Sequence, residues 1–170
     1  MTIDAIEIRP ADEGDLSAFA TDPDFGLLPE RLDRRAAEKG ELLVAREGGV
    51  PVGHVYIWDE RADEPELRKH LGDTPLIMNL WVQEDRRRRG VGSKLMTKAE
   101  DWARERGHLL VALGVLPDND AAIKLYLGRG YREWEHGEVK THHDHYIDGD
   151  HFETSEICVI FVKKLMPDSS

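Results

Sequence analysis

Residues 86–93 read Arg86-Arg87-Arg88-Arg89-Gly90-Val91-Gly92-Ser93. They stand between an apolar run, Leu76 to Val82, and a stretch from Gly90 to Arg106 with helical periodicity. In that stretch Val91, Leu95, Ala99, Trp102 and Ala103 share one face, while Lys94, Lys98, Asp101 and Arg104 fall mostly away from it. The pattern is a buried strand, a glycine-bearing turn and a helix. The first turn of a helix carries unpaired N–H groups at the positive end of the helix dipole, a natural anion site. Gly90 and Gly92 lack a Cβ, so the backbone can approach such an anion closely. Four adjacent cations in a chain of formal net charge -11 need a local reason. A phosphate-bearing ligand held at the helix start supplies one.

Working outward, Ile6 and Ile8 alternate with charged residues as a short strand before Pro10. Asp12 to Phe19 and Glu30 to Lys39 read as helices, the second closed by Gly40. Leu42 to Ala45 and Val52 to Trp58 read as a hairpin through Glu47-Gly48-Gly49. Residues 59–74 form a charged connection or short helix. Leu109 to Val115 is a further strand, so Leu76 to Val82, the long helix and this strand make a right-handed crossover with a parallel pair. Asp118 and Asn119 are candidate N-caps for a helix through about Leu127, closed by Gly128 and Gly130. Tyr131 to His136 and Ser155 to Lys163 are the last expected strands, with a polar His/Asp-rich loop over residues 137–154 between them.

At 170 residues the chain suits one domain, spanning 1–170, that buries roughly 70% of its unfolded surface. A hydrophobic fraction of 40% supports a core. Cys158 is the single cysteine, which excludes an intrachain disulfide and fits a reducing, cytoplasmic setting. The N-terminus lacks a signal-peptide pattern, and no apolar run approaches the ~20 residues that span a bilayer. The excess of 34 Asp+Glu over 23 Lys+Arg argues against general nucleic-acid binding and mildly favours a cationic acceptor.

Three phosphate-binding templates compete for the glycine turn. A dinucleotide fingerprint needs a third glycine where Leu95 stands. A nucleoside-triphosphate loop needs Gly-Lys-Ser/Thr and an earlier glycine, where Ser93-Lys94 and Arg87 stand. The third template, Gln/Arg-x-x-Gly-x-Gly/Ala after a strand and at the head of a long helix, is met by Arg87 to Gly92. Here the chain resembles the GNAT superfamily of acyl-CoA-dependent N-acyltransferases, over nearly its whole length. Ile8-Arg9-Pro10-Ala11 with Asp15 is similar to the family's opening. Leu80-Trp81-Val82 with Arg87 to Gly92 resembles its coenzyme-binding strand and pyrophosphate loop. Val115 to Asn119, Ala121 to Tyr126 and Gly130-Tyr131 resemble its second signature. Two departures stand out. No proline occurs in Gln83-Glu84-Asp85, and Arg88 takes a place where the family often has glycine.

The resemblance implies a mixed α/β fold: a mostly antiparallel twisted sheet with a splayed parallel central pair, flanked by helices on both faces. It implies transfer of an acetyl group from acetyl-CoA to a primary amine, by direct attack in a ternary complex and without a metal. Backbone N–H groups from Arg88 through Arg89, Gly90, Val91 and Gly92 to Ser93 would cradle the pyrophosphate, with the arginines, Arg87 included, near the adenosine phosphate. Leu80, Trp81 and Val82 would pair with the pantetheine arm like an added strand, and a bulge would aim an N–H at the thioester oxygen. Asn119 would contact the coenzyme arm, and Tyr126 would protonate the departing thiolate. Family members are often homodimers, but no interface is readable.

The base that deprotonates the amine is not readable either; His54, Asp59, Glu60 and Glu84 are candidates near the expected cleft. His54, Tyr56 and Trp58 alternate on one strand face and could line an acceptor pocket. His142, His143, Asp144, His145, Asp148, Asp150 and His151 invite a metal but lack a recognised ligand spacing, so a polar loop is expected there. Two rivals stand beside the enzyme: a non-catalytic acyl-CoA-binding module, and a nucleic-acid binder using the arginine run.

Overall fold

The structure, a computed structural model, describes residues 5–147 and 150–165. Among the described residues eight strands run in chain order: β1 Ile6–Pro10, β2 Gly40–Glu47, β3 Val50–Trp58, β4 Leu76–Val82, β5 Leu110–Val115, β6 Arg132–Glu133, β7 Val139–Ile147 and β8 Asp150–Lys164. Four α-helices join them: α1 Leu28–Ala36, α2 Pro65–Leu71, α3 Val91–Glu105 and α4 Asp120–Gly128. The sheet order is β1-β2-β3-β4-β5-β8-β6, and β7 pairs with the outer half of β8. Every pairing is antiparallel except β4 with β5, the crossover expected around α3.

The central strands are apolar on both sides because both sheet faces are covered. Leu43 and Ala45 of β2 and Val55 and Ile57 of β3 pack with Val91, Leu95, Met96, Ala99 and Ala103 of α3. The alternate residues Leu42, Val44 and Tyr56 meet Leu16, Phe19 and Leu28 on the opposite face. A third cluster, with Leu67 of α2, Trp134 and Ile160, continues that opposite layer beside β5 and β8. Glu100, buried on α3, accepts from the Tyr131 hydroxyl at 2.8 Å, Lys163 Nζ at 2.9 Å and Arg129 Nη2 at 3.0 Å. This four-residue tie fixes α3 against the end of α4 and against β8.

Three expectations change. The polar segment 137–154 is not a loop: β7 and β8 form a long hairpin across it, register-paired from Val139↔Cys158 to Ile147↔Asp150. Residues 150–155 on its β8 side are solvent-exposed, so no apolar alternation marks that strand. Asp148 lies outside the described residues, as do the side chains of 143–147. Tyr131 to His136 shortens to the two residues of β6, after which Trp134 Nε1 donates to the Gly137 carbonyl at 2.6 Å. Gly40 opens β2 rather than closing a helix. A Cβ there would sit 2.5 Å from the Tyr56 hydroxyl, so close approach is what requires glycine. The left-handed residue after α1 is Glu38, at φ 61°. Asp12 to Phe19 is a 3₁₀ helix, Glu13–Phe19, and the charged connection contains α2. Among the described residues no helix is long and apolar enough to cross a membrane.

Candidate active site

The glycine turn sits where β4 ends. The Gln83 amide donates to the Val52 carbonyl at 2.8 Å and its side chain to Ala18 and Pro51 carbonyls at 3.1 and 3.3 Å, anchoring the exit of the strand. A 3₁₀ turn, Glu84–Arg86, follows, and Gly90 is the N-cap of α3 at φ 81°. No side chain caps that helix, and its first helical bond is Lys94 N–H to the Gly90 carbonyl at 3.0 Å. The amides of residues 91–93 therefore have no intrahelical acceptor. A Cβ on Gly92 would meet only Leu80 Cδ2, at an ordinary 3.6 Å. The protein itself leaves space over that turn.

The four arginines do not act as one claw. Arg86 pairs with Glu47 at 3.2 Å and Asp85 at 3.0 Å, and Arg89 approaches Glu47 at 3.8 Å. Arg87 folds back, donating Nε to the Val82 carbonyl at 2.8 Å, so it closes the strand end. Arg88 is exposed and holds φ 66°, a left-handed backbone that costs a Cβ-bearing residue about 1–2 kcal/mol. Arg88→Gly should raise the thermal midpoint by about 1–4 °C in a melting scan, because relief of that strain exceeds the added unfolded-chain entropy.

Beside this turn the sheet comes apart. The parallel strands β4 and β5 share one register pair, Leu76↔Ala112, supported by Ala112 N–H to the Pro75 carbonyl at 3.1 Å. Beyond that rung they diverge. Gly114, mid-strand in β5 between buried Leu113 and Val115, is exposed, as a strand beside a gap must be. A bulge lies on the β4 side. His54 pairs with Trp81 but Tyr56 pairs with Met78, so one residue is extra on β4, and Asn79 is left-handed at φ 51°.

The bulge is braced from behind. Asn79 Nδ2 donates to Asp24 Oδ2 at 2.9 Å, the Asp24 amide donates to Asp22 Oδ1 at 2.9 Å, and Asp22 Oδ2 lies 2.6 Å from His54 Nε2. Burial pushes the Asp22 carboxyl up, but the His54 ring and the Asp24 amide outweigh it and hold it below the usual carboxylate range. His54 is fully buried, stacked near Trp81 and edge-on to Phe19. It is a brace behind the bulge and does not line the neighbouring cavity.

A cavity of about 300 Å³ opens on the α1 and α2 side of the gap. Met78 and Asn79 of β4 and Leu113 and Gly114 of β5 line it, as do Tyr56 and Trp58, expected there from their shared strand face. His54, Asp59, Glu60 and Glu84 do not. Asp59 is 3.0 Å from His108, and Glu60 pairs with Arg34 at 3.3 Å and Lys39 at 3.5 Å. The carboxylates that do line it are Glu30, Asp63 and Glu64.

Of the remaining expected site residues, Val82 is core, Trp81 meets Phe19 edge-on at 5.9 Å, and Leu80 is half-buried beside Gly92. Asn119 caps α4, its side chain accepting from the Ala122 amide at 3.2 Å. Tyr126 packs against the α3-side core with its ring 5.7 Å from Tyr131. Burial raises the Tyr126 phenol above its ordinary value, so it keeps its proton at neutral pH. Sequence reasoning missed Asn79 and Arg31, both lining the cavity. The available signals were an asparagine inside an apolar strand and arginines at i, i+3 on α1.

The chain matches the acetyltransferase (GNAT) family over residues 6–131. It is 33% identical over 97 residues to an uncharacterized N-acetyltransferase of Methanocaldococcus jannaschii, covering 55% of this chain and 40% of that protein. The chain spans less than half the length of the curated relatives it matches. Among solved structures it resembles an N-acetyltransferase from Staphylococcus aureus Mu50, with TM-score 0.69, 16% identity, and 95% and 99% of the two chains covered. It also resembles a GNAT family acetyltransferase from Elizabethkingia anophelis with acetyl-CoA bound, with TM-score 0.60, 18% identity, and 94% and 98% covered. These two likenesses show the shared fold.

Proposed function

From the premise that this chain belongs to the acetyltransferase (GNAT) family, we propose that it transfers an acetyl group from acetyl-CoA to a primary amine by direct attack in a ternary complex. The single observation that carries this reading is the one-rung junction between β4 and β5, adjoining an uncapped helix start. The amides of Val91, Gly92 and Ser93 receive the pyrophosphate, where the helix dipole favours negative charge. The backbone of β4 and β5 pairs with the pantetheine arm in the gap, as sheet edges pair with an added strand. The bulge at Asn79 and Leu80 turns a backbone N–H towards the thioester oxygen and stabilises it as negative charge develops.

The amine enters from the cavity, attacks the carbonyl carbon, and the C–S bond breaks. Tyr126 gives its proton to the leaving sulfur and regains one from solvent. The proton lost by the amine passes to water and the carboxylates at the cavity mouth. Cys158 is buried in β8, and burial pushes its thiol up, which disfavours an acyl-cysteine route.

The test is thiol release from acetyl-CoA across amino acids, amino sugars, polyamines and peptides, beside calorimetry with acetyl-CoA. Binding together with turnover of at least one amine is expected. Binding without turnover on any class would point to an acyl-CoA sensor instead.

A further inference from the structure

We propose that the acceptor is a free amino acid, bound through its carboxylate to Arg31. This rests on the acetyl-transfer reading and names the substrate class of the same cavity. Arg31, on α1, is 7% exposed and lines the cavity. Among the described residues it makes no hydrogen bond or ion pair, and its buried Nη1 lacks a partner. A guanidinium stripped of water costs several kcal/mol unless a counter-charge meets it. Asp24, Asp22 and Glu30 attract it through space without bonding it: Asp22 holds His54, Asp24 holds Asn79, and Glu30 is exposed at the mouth. Burial pulls the Arg31 pKa below its ordinary value against the attraction of Asp24 and its neighbours.

The adjoining arginine shows the contrast. Arg34, one turn on, donates Nε to the Tyr56 hydroxyl at 2.7 Å and Nη2 to Glu60 at 3.3 Å, and lies 3.6 Å over the Trp58 ring. It is fully engaged in holding the wall. Among the described residues Arg31 has the Tyr56 ring at 4.9 Å and the through-space attraction of Asp24, Asp22 and Glu30, but no hydrogen bond. A planar guanidinium beside a cavity, with its Nη1 buried and without a partner among the described residues, suits a carboxylate in two-point geometry. Asn79 and Leu113 at the strand gap line the same cavity, so an amino acid whose carboxylate meets Arg31 would hold its α-amine in the space that adjoins the proposed thioester position. Trp58, Leu67 and Met78 form an apolar wall suited to an apolar side chain.

The test uses matched acceptors with and without the carboxylate: L-methionine against 3-(methylthio)propylamine, and L-phenylalanine against 2-phenylethylamine. In the unmodified protein the amino acids should exceed their amines in kcat/KM by at least ~30-fold, as expected for a buried charge pair. Arg31→Met should erase that preference while leaving amine turnover and acetyl-CoA affinity within about twofold, and Arg31→Lys should restore part of it. Arg31→Met should also melt at the same temperature or higher, since burial of the guanidinium outweighs the attraction of the carboxylates around it. Amines used as well as amino acids, absent amino-acid turnover, or a fall of more than about 4 °C in the Arg31→Met midpoint would each overturn the assignment. Those outcomes leave acetyl transfer itself standing so long as some amine is turned over; failure to bind acetyl-CoA, or binding without turnover of any amine, removes both.

Discussion

Gly92→Leu should keep its fold and lose acetyl-CoA. The helix start has room for a side chain, since the nearest atom to a Cβ at this position is Leu80 Cδ2 at 3.6 Å. Gly92 has no left-handed backbone requirement, and leucine is the better helix former. A melting scan should therefore show an unchanged or higher midpoint. The leucine side chain would project from the first turn into the space proposed for the pyrophosphate. Losing two hydrogen bonds to a charged group costs about 3–6 kcal/mol. Calorimetry should read that as a weakening of more than ~100-fold in Kd. Retained affinity in a folded Gly92→Leu protein would show that the diphosphate lies elsewhere. Gly90 serves as the opposite control, because its φ of 81° makes any L-residue strain the turn itself.

Tyr126→Phe should separate chemistry from binding. The ring, packed 5.7 Å from Tyr131, stays in place, and the hydroxyl donates to no described residue, so little stability is at risk. What disappears is the proton that the proposed mechanism delivers to the sulfur. Loss of a positioned general acid should lower kcat by about 10²- to 10⁴-fold. Acetyl-CoA affinity from calorimetry should change little. Because burial raises the phenol's pKa, its proton-bearing form persists across neutral pH, and any decline in activity caused by its ionisation belongs on the alkaline side. A Tyr126→Phe enzyme with undiminished kcat would assign proton delivery to another group.

The elements nearest the proposed chemistry were those most readable in the sequence. Strand β4 matches the apolar run residue for residue, and α3 lies within the periodic stretch that Gly90 opens. Both carry their apolar residues at local spacing, so hydropathy reports them directly. The β7–β8 hairpin was not readable because residues 150–155 of β8 face water on both sides and carry no period of two. The brace behind the bulge was hidden for another reason. Asn79 and Asp24 are 55 residues apart, as are few pairs that a single strand's pattern could reveal. Arg31 shows the same limit: its type and spacing suggest a surface helix, and only packing against Tyr56 makes it a buried cation.

The lone rung at Leu76 and Ala112 divides the sheet into two wedges. They are kept at a fixed opening by α3 and by the tie that Glu100 makes to Arg129, Tyr131 and Lys163. Each further rung along this seam would add backbone bonds and firm the sheet, yet would narrow the berth proposed for the coenzyme. Stability and turnover therefore pull in opposite directions here. Selection for heat resistance alone should drift towards zipping the wedges shut.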